Sequence, residues 1–233
     1  MVFKSKDVYI QGAKLLEKGQ YDKAVELLTV SADEGNRDAQ YALGNVYAQS
    51  IGVAQNLSLA VKYYTLSAEQ GHRDGQYWLG YMYQYGYGID KDLQRARQWY
   101  QISADQGNLL ARYRLGEIYE FGWGVDVDLE RAVHNYEISA NGGLDVGQNA
   151  YGRMLSDGIG VAKDEKKAFK FLLRSAKQGH GYAQQEVGNM YFYGFGTGKN
   201  KIKAVKWLKK ASENTDYESL TYVSSWQDLI KKN

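Results

Sequence analysis

The chain has 233 residues, 44% of them hydrophobic and 24% charged, and a net charge of +2, so it reads as a folded chain with no electrostatic bias toward nucleic acid. Cysteine is absent, which excludes disulfides, thiol nucleophiles and cysteine-ligated metals. Proline is absent as well, and glycine must therefore stop the helices.

The opening stretch, MVFKSKDVYIQGAKLL, lacks the continuous apolar run of a secretion signal. No stretch approaches membrane-spanning length, and a cytoplasmic location is expected. A 36-residue period then takes over. Gly44, Gly80, Gly116, Gly152 and Gly188 keep this step, and so do Ala60, Ala96, Ala132, Ala168 and Ala204. A fixed period in this range marks a stacked array of small units. The first unit is shorter, with 12 residues from Gly12 to Ala24 against 16 from Gly44 to Ala60.

Within a unit two helices are predicted. In the third, the first helix runs from about Asp74 to Tyr85, with Leu79, Met82 and Tyr83 on one side. Gly80 lets a neighbouring helix approach closely, and Gly86-Tyr87-Gly88 ends the helix through a left-handed exit. Asp92 caps the second helix, which continues through Ala96, Trp99 and Tyr100 to Ala104, and Gly107 closes it. The cap recurs in register as Asn56, Asp92, Asp128, Asp164 and Asn200. The final stretch, residues 215–233, carries Leu220, Val223, Trp226 and Ile230 at helical spacing and is read as a capping helix.

The matched positions Gly116, Tyr119, Gly122, Gly124, Val125, Asp128, Ala132, Tyr136, Ala140 and Gly143 resemble the Sel-one-like repeat family. Five units follow this pattern, at residues 37–72, 73–108, 109–144, 145–180 and 181–214. The first, residues 5–36, resembles an ordinary tetratricopeptide repeat through Gly12, Gly19, Tyr21 and Ala24. Two departures stand out, since Ser50 replaces a loop glycine and Leu155 replaces the tyrosine. The resemblance implies an all-α, right-handed α-solenoid of stacked helix–turn–helix repeats in a single domain, with the first helix of each pair lining the concave side.

Chemistry is sparse by comparison. His72 and His180 share one register just past a glycine, where a capping role is expected, and His134 has no partner at metal-ligand spacing. The Gly-x-Gly loops follow a helix and recur in every later unit, which fits a connector rather than a phosphate cradle. No catalytic, cofactor or metal set emerges.

The tyrosines fall into two classes. Tyr47, Tyr83, Tyr119 and Tyr191, three after the helix glycine, are read as packing residues. Tyr9, Tyr41, Tyr77 and Tyr113, three before it, are expected to face the groove, and this ladder breaks to Asn149 and Gln185. Tyr81, Tyr85, Phe121 and Tyr193 tend the same way, beside Asn45, Gln84, Glu117, Glu120, Arg153 and Asn189. Tyrosine offers rigid amphipathic contact area, and these residues form the expected partner-binding surface.

Charge is uneven: residues 163–233 hold 14 basic and 7 acidic groups, so the C-terminal third is the basic part of the chain. The leading expectation is a monomeric, non-enzymatic adaptor that holds a protein partner in its groove. The resemblance extends this to signalling roles or to an immunity protein that masks a cognate toxin. An alternative assigns the basic third to an acidic partner, a lipid surface or nucleic acid, and a hydrolase is the least supported reading.

Overall fold

The structure, a computed structural model, describes residues 5–214. The expected capping helix over residues 215–233 lies outside them. The described residues form twelve helices and no strand. They are α1 (Ser5–Glu17), α2 (Tyr21–Asp33), α3 (Arg37–Gln49), α4 (Leu57–Glu69), α5 (Arg73–Tyr85), α6 (Leu93–Asp105), α7 (Leu109–Phe121), α8 (Leu129–Asn141), α9 (Asp145–Asp157), α10 (Glu165–Lys177), α11 (Gly181–Tyr193) and α12 (Lys201–Ser212). Odd and even helices pair as hairpins. Within each compact unit a helix packs on its sequence neighbours, the packing of an α-solenoid.

Local chemistry explains where each helix begins. Asn56, Asp92, Asp128, Asp164 and Asn200 each accept a hydrogen bond from the backbone N–H three residues on, at 2.9 to 3.0 Å. These bonds satisfy donors that the helix itself leaves unpaired. Among the odd-numbered helices α3, α5, α7 and α11 are capped too, whereas Leu144 before α9 offers no side-chain acceptor. Asn36 accepts from the N–H groups of Asp38 and Ala39, and Asn108 from that of Ala111. His72 Nδ1 accepts from Gly75 at 3.0 Å and His180 Nδ1 from Ala183 at 3.4 Å, so both histidines are caps.

Glycine ends the first helices, with Gly86, Gly158 and Gly194 all left-handed. Ser50 takes the same conformation at φ 59°, and its hydroxyl donates to the Val53 carbonyl at 2.8 Å. The periodic helix glycines mark close approach. A Cβ on Gly80 would lie 2.9 Å from the Tyr100 ring, and one on Gly152 would lie 2.7 Å from Leu172.

The chain divides into two compact units, Met1–Ala111 and Arg112–Asn233. In the first, Leu28, Leu43, Tyr64 and Leu79 are buried to 1% exposure or less. In the second, Leu115, Ile118, Tyr136, Tyr151, Met154, Leu155 and Leu172 fill the interior. Burial of each such side chain contributes about 1.5–3 kcal/mol, and the small alanines at the helix crossings let these larger ones interlock.

One buried amide recurs at the joints. Gln40, Gln76, Gln148 and Gln184 each donate to an alanine carbonyl at the end of the preceding even-numbered helix, at 3.1 to 3.4 Å. The side-chain carbonyls of Gln40, Gln76 and Gln148 also accept from Gln70, Gln106 and Gln178 of their own hairpins. Each such glutamine therefore ties three helices together with its polar atoms satisfied. In the last hairpin Asn214 stands in the partner position, one methylene shorter. It donates to the Gly179 carbonyl instead, and Gln184 Oε1 is left buried without a donor.

Candidate functional site

In the first unit the expected surface residues separate by burial. Tyr77 is only 4% exposed and Gln84 likewise 4%, so neither is open to a partner. This corrects the reading of Tyr77 as a groove residue. Its ring packs edge-on against Trp78 at 5.3 Å and tilted against Tyr100 at 5.7 Å. The seat three before the helix glycine turns toward the paired helix, where a tyrosine waits. Gln84 accepts from the Tyr100 hydroxyl at 2.6 Å, and Asn45 accepts from Tyr64 at 2.8 Å. Tyr41 is half-buried and stacks on His72 at 4.5 Å.

Tyr81 and Tyr85 do gather, with rings 4.6 Å apart. Tyr87, in the following loop, stacks on Tyr85 at 5.6 Å, and both are more than 40% exposed. A cavity of about 400 Å³ opens beside them, lined by Tyr64, Trp78, Tyr81 and Tyr87 among others. The other tyrosine class packs as expected. Tyr119 and Tyr191 are buried, and a cation from the paired helix covers each ring: Arg131 over Tyr119 at 5.5 Å and Lys203 over Tyr191 at 5.2 Å. Tyr83 has Arg95 in the same place.

In the second unit Tyr113 donates to Glu117 at 2.9 Å, and Arg114 pairs with the other oxygen of that carboxylate at 2.7 Å. Tyr136 donates to Glu120 at 2.7 Å, while Arg153 pairs with the second Glu120 oxygen. Burial above all, helped by Glu117 and Glu120, pushes the Tyr113 and Tyr136 phenols above their ordinary range and keeps them as neutral donors. Glu117 is thus held by Tyr113 and Arg114, and Glu120 by Tyr136 and Arg153, the second set reaching the surface through Arg153. Phe121 is 53% exposed and stacks on Trp123 of the next loop at 5.3 Å. Asn149 is half-buried. Gln185, Asn189 and Tyr193 line one cavity of about 460 Å³ together with Asp157, Glu186 and Phe195.

Two groups escaped the sequence reading. Tyr64, Tyr100 and Tyr136, on even-numbered helices, support the three-before tyrosines. The chain itself holds the signal: Tyr41 goes with Tyr64, Tyr77 with Tyr100 and Tyr113 with Tyr136, but Asn149 goes with Leu172 and Gln185 with Leu208. The loop aromatics Tyr87, Trp123 and Phe195 form the second group. Each stacks on the last residue of its preceding helix, at 5.3 to 5.6 Å. The basic residues Lys166, Lys170, Arg174 and Lys177 are exposed on α10, and Lys203, Lys206, Lys209 and Lys210 on α12. No helix among the described residues is long and apolar enough to cross a membrane.

Comparison with known proteins places this architecture. The Sel1 repeat pattern matches residues 7–36, 37–72, 73–108, 109–144, 146–180 and 181–216, so the short first unit is matched with the rest. Among curated proteins none matches. A protective antigen of uropathogenic Escherichia coli with an SLR fold is 32% identical at a TM-score of 0.83, covering 91% of this chain and 47% of that one. This chain therefore spans about half the length of that protein. A Sel1 repeat protein from Oxalobacter formigenes is 27% identical at a TM-score of 0.81, covering 91% of this chain and 87% of that one. An immunity protein from Pseudomonas aeruginosa shares the fold at 16% identity and a TM-score of 0.55, covering 93% of this chain and 88% of that one. With six matched units and a hairpin array that follows their period, this chain belongs to the Sel1 repeat family.

Proposed function

We propose that the chain is a non-enzymatic scaffold that holds a protein partner against the exposed aromatic edge of a unit, formed at the end of α5 in the first and at the ends of α7 and α11 in the second. Sel1 repeats are in general an interaction scaffold, and this reading makes the role specific. The observation that carries it is the ring pair repeated at one register. Tyr85–Tyr87, Phe121–Trp123 and Tyr193–Phe195 each stack, and Tyr85, Phe121 and Tyr193 are 41%, 53% and 48% exposed. Exposed rings that are already ordered lose little entropy on binding, and aromatic anchors of this kind dominate interface energies.

Masking of a toxin is one form such a role takes, and the Pseudomonas aeruginosa immunity proteins support it through shared fold alone. The test is affinity capture from the native cell with mass spectrometry, run in parallel with a Tyr85→Ser, Phe121→Ser, Tyr193→Ser variant. The expected result is a protein retained by the parent and lost by the variant at unchanged helical content. Retention by both would overturn the reading, and so would capture that depends on the α10 and α12 lysines alone.

A further inference from the structure

We propose that the cavity walled by α9, α11 and the loop after α11 receives the arginine side chain of a protein partner. The proposal deepens the scaffold reading and rests on it, since it names the chemistry one pocket of that surface selects.

The argument starts from a change within the array. Where earlier units carry Tyr77 and Tyr113, the last carries Gln185, and the tyrosine of the paired helix has become Leu208. The cavity of about 460 Å³ lies beside Gln185. Its walls carry three carboxylates, Asp157, Glu165 and Glu186, against one cation, Lys163. Gln185 Oε1 and Asn189 Oδ1 are buried, and neither has a hydrogen-bond donor in the protein. Buried acceptors of this kind are uncommon in folded chains, and these two belong to residues that line one cavity. Both are closed off from the cavity as placed, and a donor there meets them only after the amide turns about its terminal torsion.

Carboxylates add to the deficit. Glu186 receives a single long hydrogen bond, from Asn189 Nδ2 at 3.4 Å, and Asp157 shares the cavity wall. Desolvation raises the Glu186 pKa, the Asn189 bond opposes this, and Asp157 adds to it. The residue as a whole is exposed, which fits a carboxylate on a concave wall, open to water yet surrounded by protein. The one cation at the rim, Lys163, is paired with Glu165 at 2.9 Å. The stacked pair Tyr193–Phe195, at 5.5 Å and 25°, lines the same cavity.

An excess of carboxylates and a stacked ring pair in one cavity suit a flat cation. Guanidinium carries five donors in a plane, stacks on aromatic rings and sheds water more readily than ammonium. A metal ion fits less well, because no group of three metal-type ligands converges among the described residues.

The full chain, titrated with N-acetyl-arginine amide and followed by amide NMR shifts, tests this without any partner. Saturable shifts confined to α9, α11 and the loop after α11 are expected. N-acetyl-citrulline amide, of the same shape but uncharged, and the Glu186→Gln variant should each bind at least about tenfold more weakly. Asp157→Asn provides a second check should Glu186→Gln fail to fold. Equal affinity for the citrulline compound, unchanged affinity in both variants or no saturable shift would overturn the proposal. Tighter binding of spermidine than of the arginine compound would overturn it as well, by making a free polyamine the occupant. Any of these failures leaves partner capture by the aromatic edge standing, so the two readings fail separately.

Discussion

The hairpin α5–α6 in the first unit and the hairpin α9–α10 in the second hold the same backbone with aromatics in different seats. In α5–α6, Leu79 is buried, Tyr83 lies under Arg95, and Tyr100 packs on Gly80. In α9–α10 the first two exchange roles. Tyr151 occupies the leucine seat, Leu155 the tyrosine seat, and Leu172 replaces the ring over Gly152. The cation keeps the register of Arg95 and meets the ring in its new seat: Lys167 Nζ lies 5.0 Å from the Tyr151 ring and 2.6 Å from its hydroxyl, which in turn donates to Glu137 at 2.6 Å. Volume and one cation–ring contact are kept while the ring and the leucine exchange places one helical turn apart and the cation stays in register. Helix glycines and caps stay fixed, because backbone approach and orphan N–H groups leave them fewer substitutes.

The largest way to break this equivalence is to empty the ring seat. Tyr100→Ala should cost about 3–5 kcal/mol and Tyr77→Ala a similar amount, seen as a lowered urea midpoint. An unchanged midpoint for Tyr77→Ala would restore it to the partner surface and undo the correction above. Leu172→Ala, with about 2–5 kcal/mol, measures the same seat in the other hairpin.

Overpacking comes next. Gly80→Val and Gly152→Val should each lose about 1–3 kcal/mol, with the larger loss at Gly80, because a ring cannot fold aside as a leucine can. The same substitution at Gly116, which faces the Tyr136 ring, should behave like Gly80. Equal melting temperatures for parent and Gly80→Val would show that the crossing is looser than described.

The histidine caps predict a pH effect of about 1 kcal/mol each, the usual value of a cap. Burial is the first cause that holds His72 and His180 below the ordinary histidine range, and each must be neutral for Nδ1 to accept. The unfolded chain therefore takes up protons before the folded one does. The contribution is complete above the ordinary pKa of 6.5 and is lost as pH falls from there through the depressed folded value. The loss should be smaller at His72, whose Nε2 has Asp38 at 3.5 Å to favour the charged form. Unfolding curves at pH 7.5 and 5, with His72→Asn and His180→Asn as references, check both sign and order.

The smallest effect belongs to Lys167→Met, at about 0.2–1 kcal/mol, since the Lys167–Glu137 pair is 42% and 38% exposed and Tyr151 keeps its bond to Glu137. A larger loss would mean that this cation matters more than its exposure suggests.

The period, the second-helix caps and the glycine stops were legible because each depends on a few neighbouring residues. The face of a tyrosine was not. Tyr77 and Tyr81 are one turn apart on α5, yet one is buried on Tyr100 and the other meets Tyr85 near the surface. That difference depends on what the paired helix offers, and it shows only when positions are read jointly, as with Tyr77 and Tyr100. Gln84 and Glu120 illustrate the same limit, since polar residues on an apparent surface are claimed by buried phenols. The acceptor-rich pocket at Gln185 was signalled by the broken tyrosine ladder, although a break alone says nothing of Glu186.

The joint glutamines bear on how such a chain changes over generations. Gln40, Gln76, Gln148 and Gln184 grip a main-chain carbonyl of the preceding helix, an atom present whatever residue stands there. Except at Arg112, which occupies this seat in one unit, a crossover that gains or loses 36 residues in register would bring together a glutamine and a carbonyl of the same kind. Array length is thereby freed from the identity of the neighbours, and the aromatic edge can diversify from copy to copy while the joints persist.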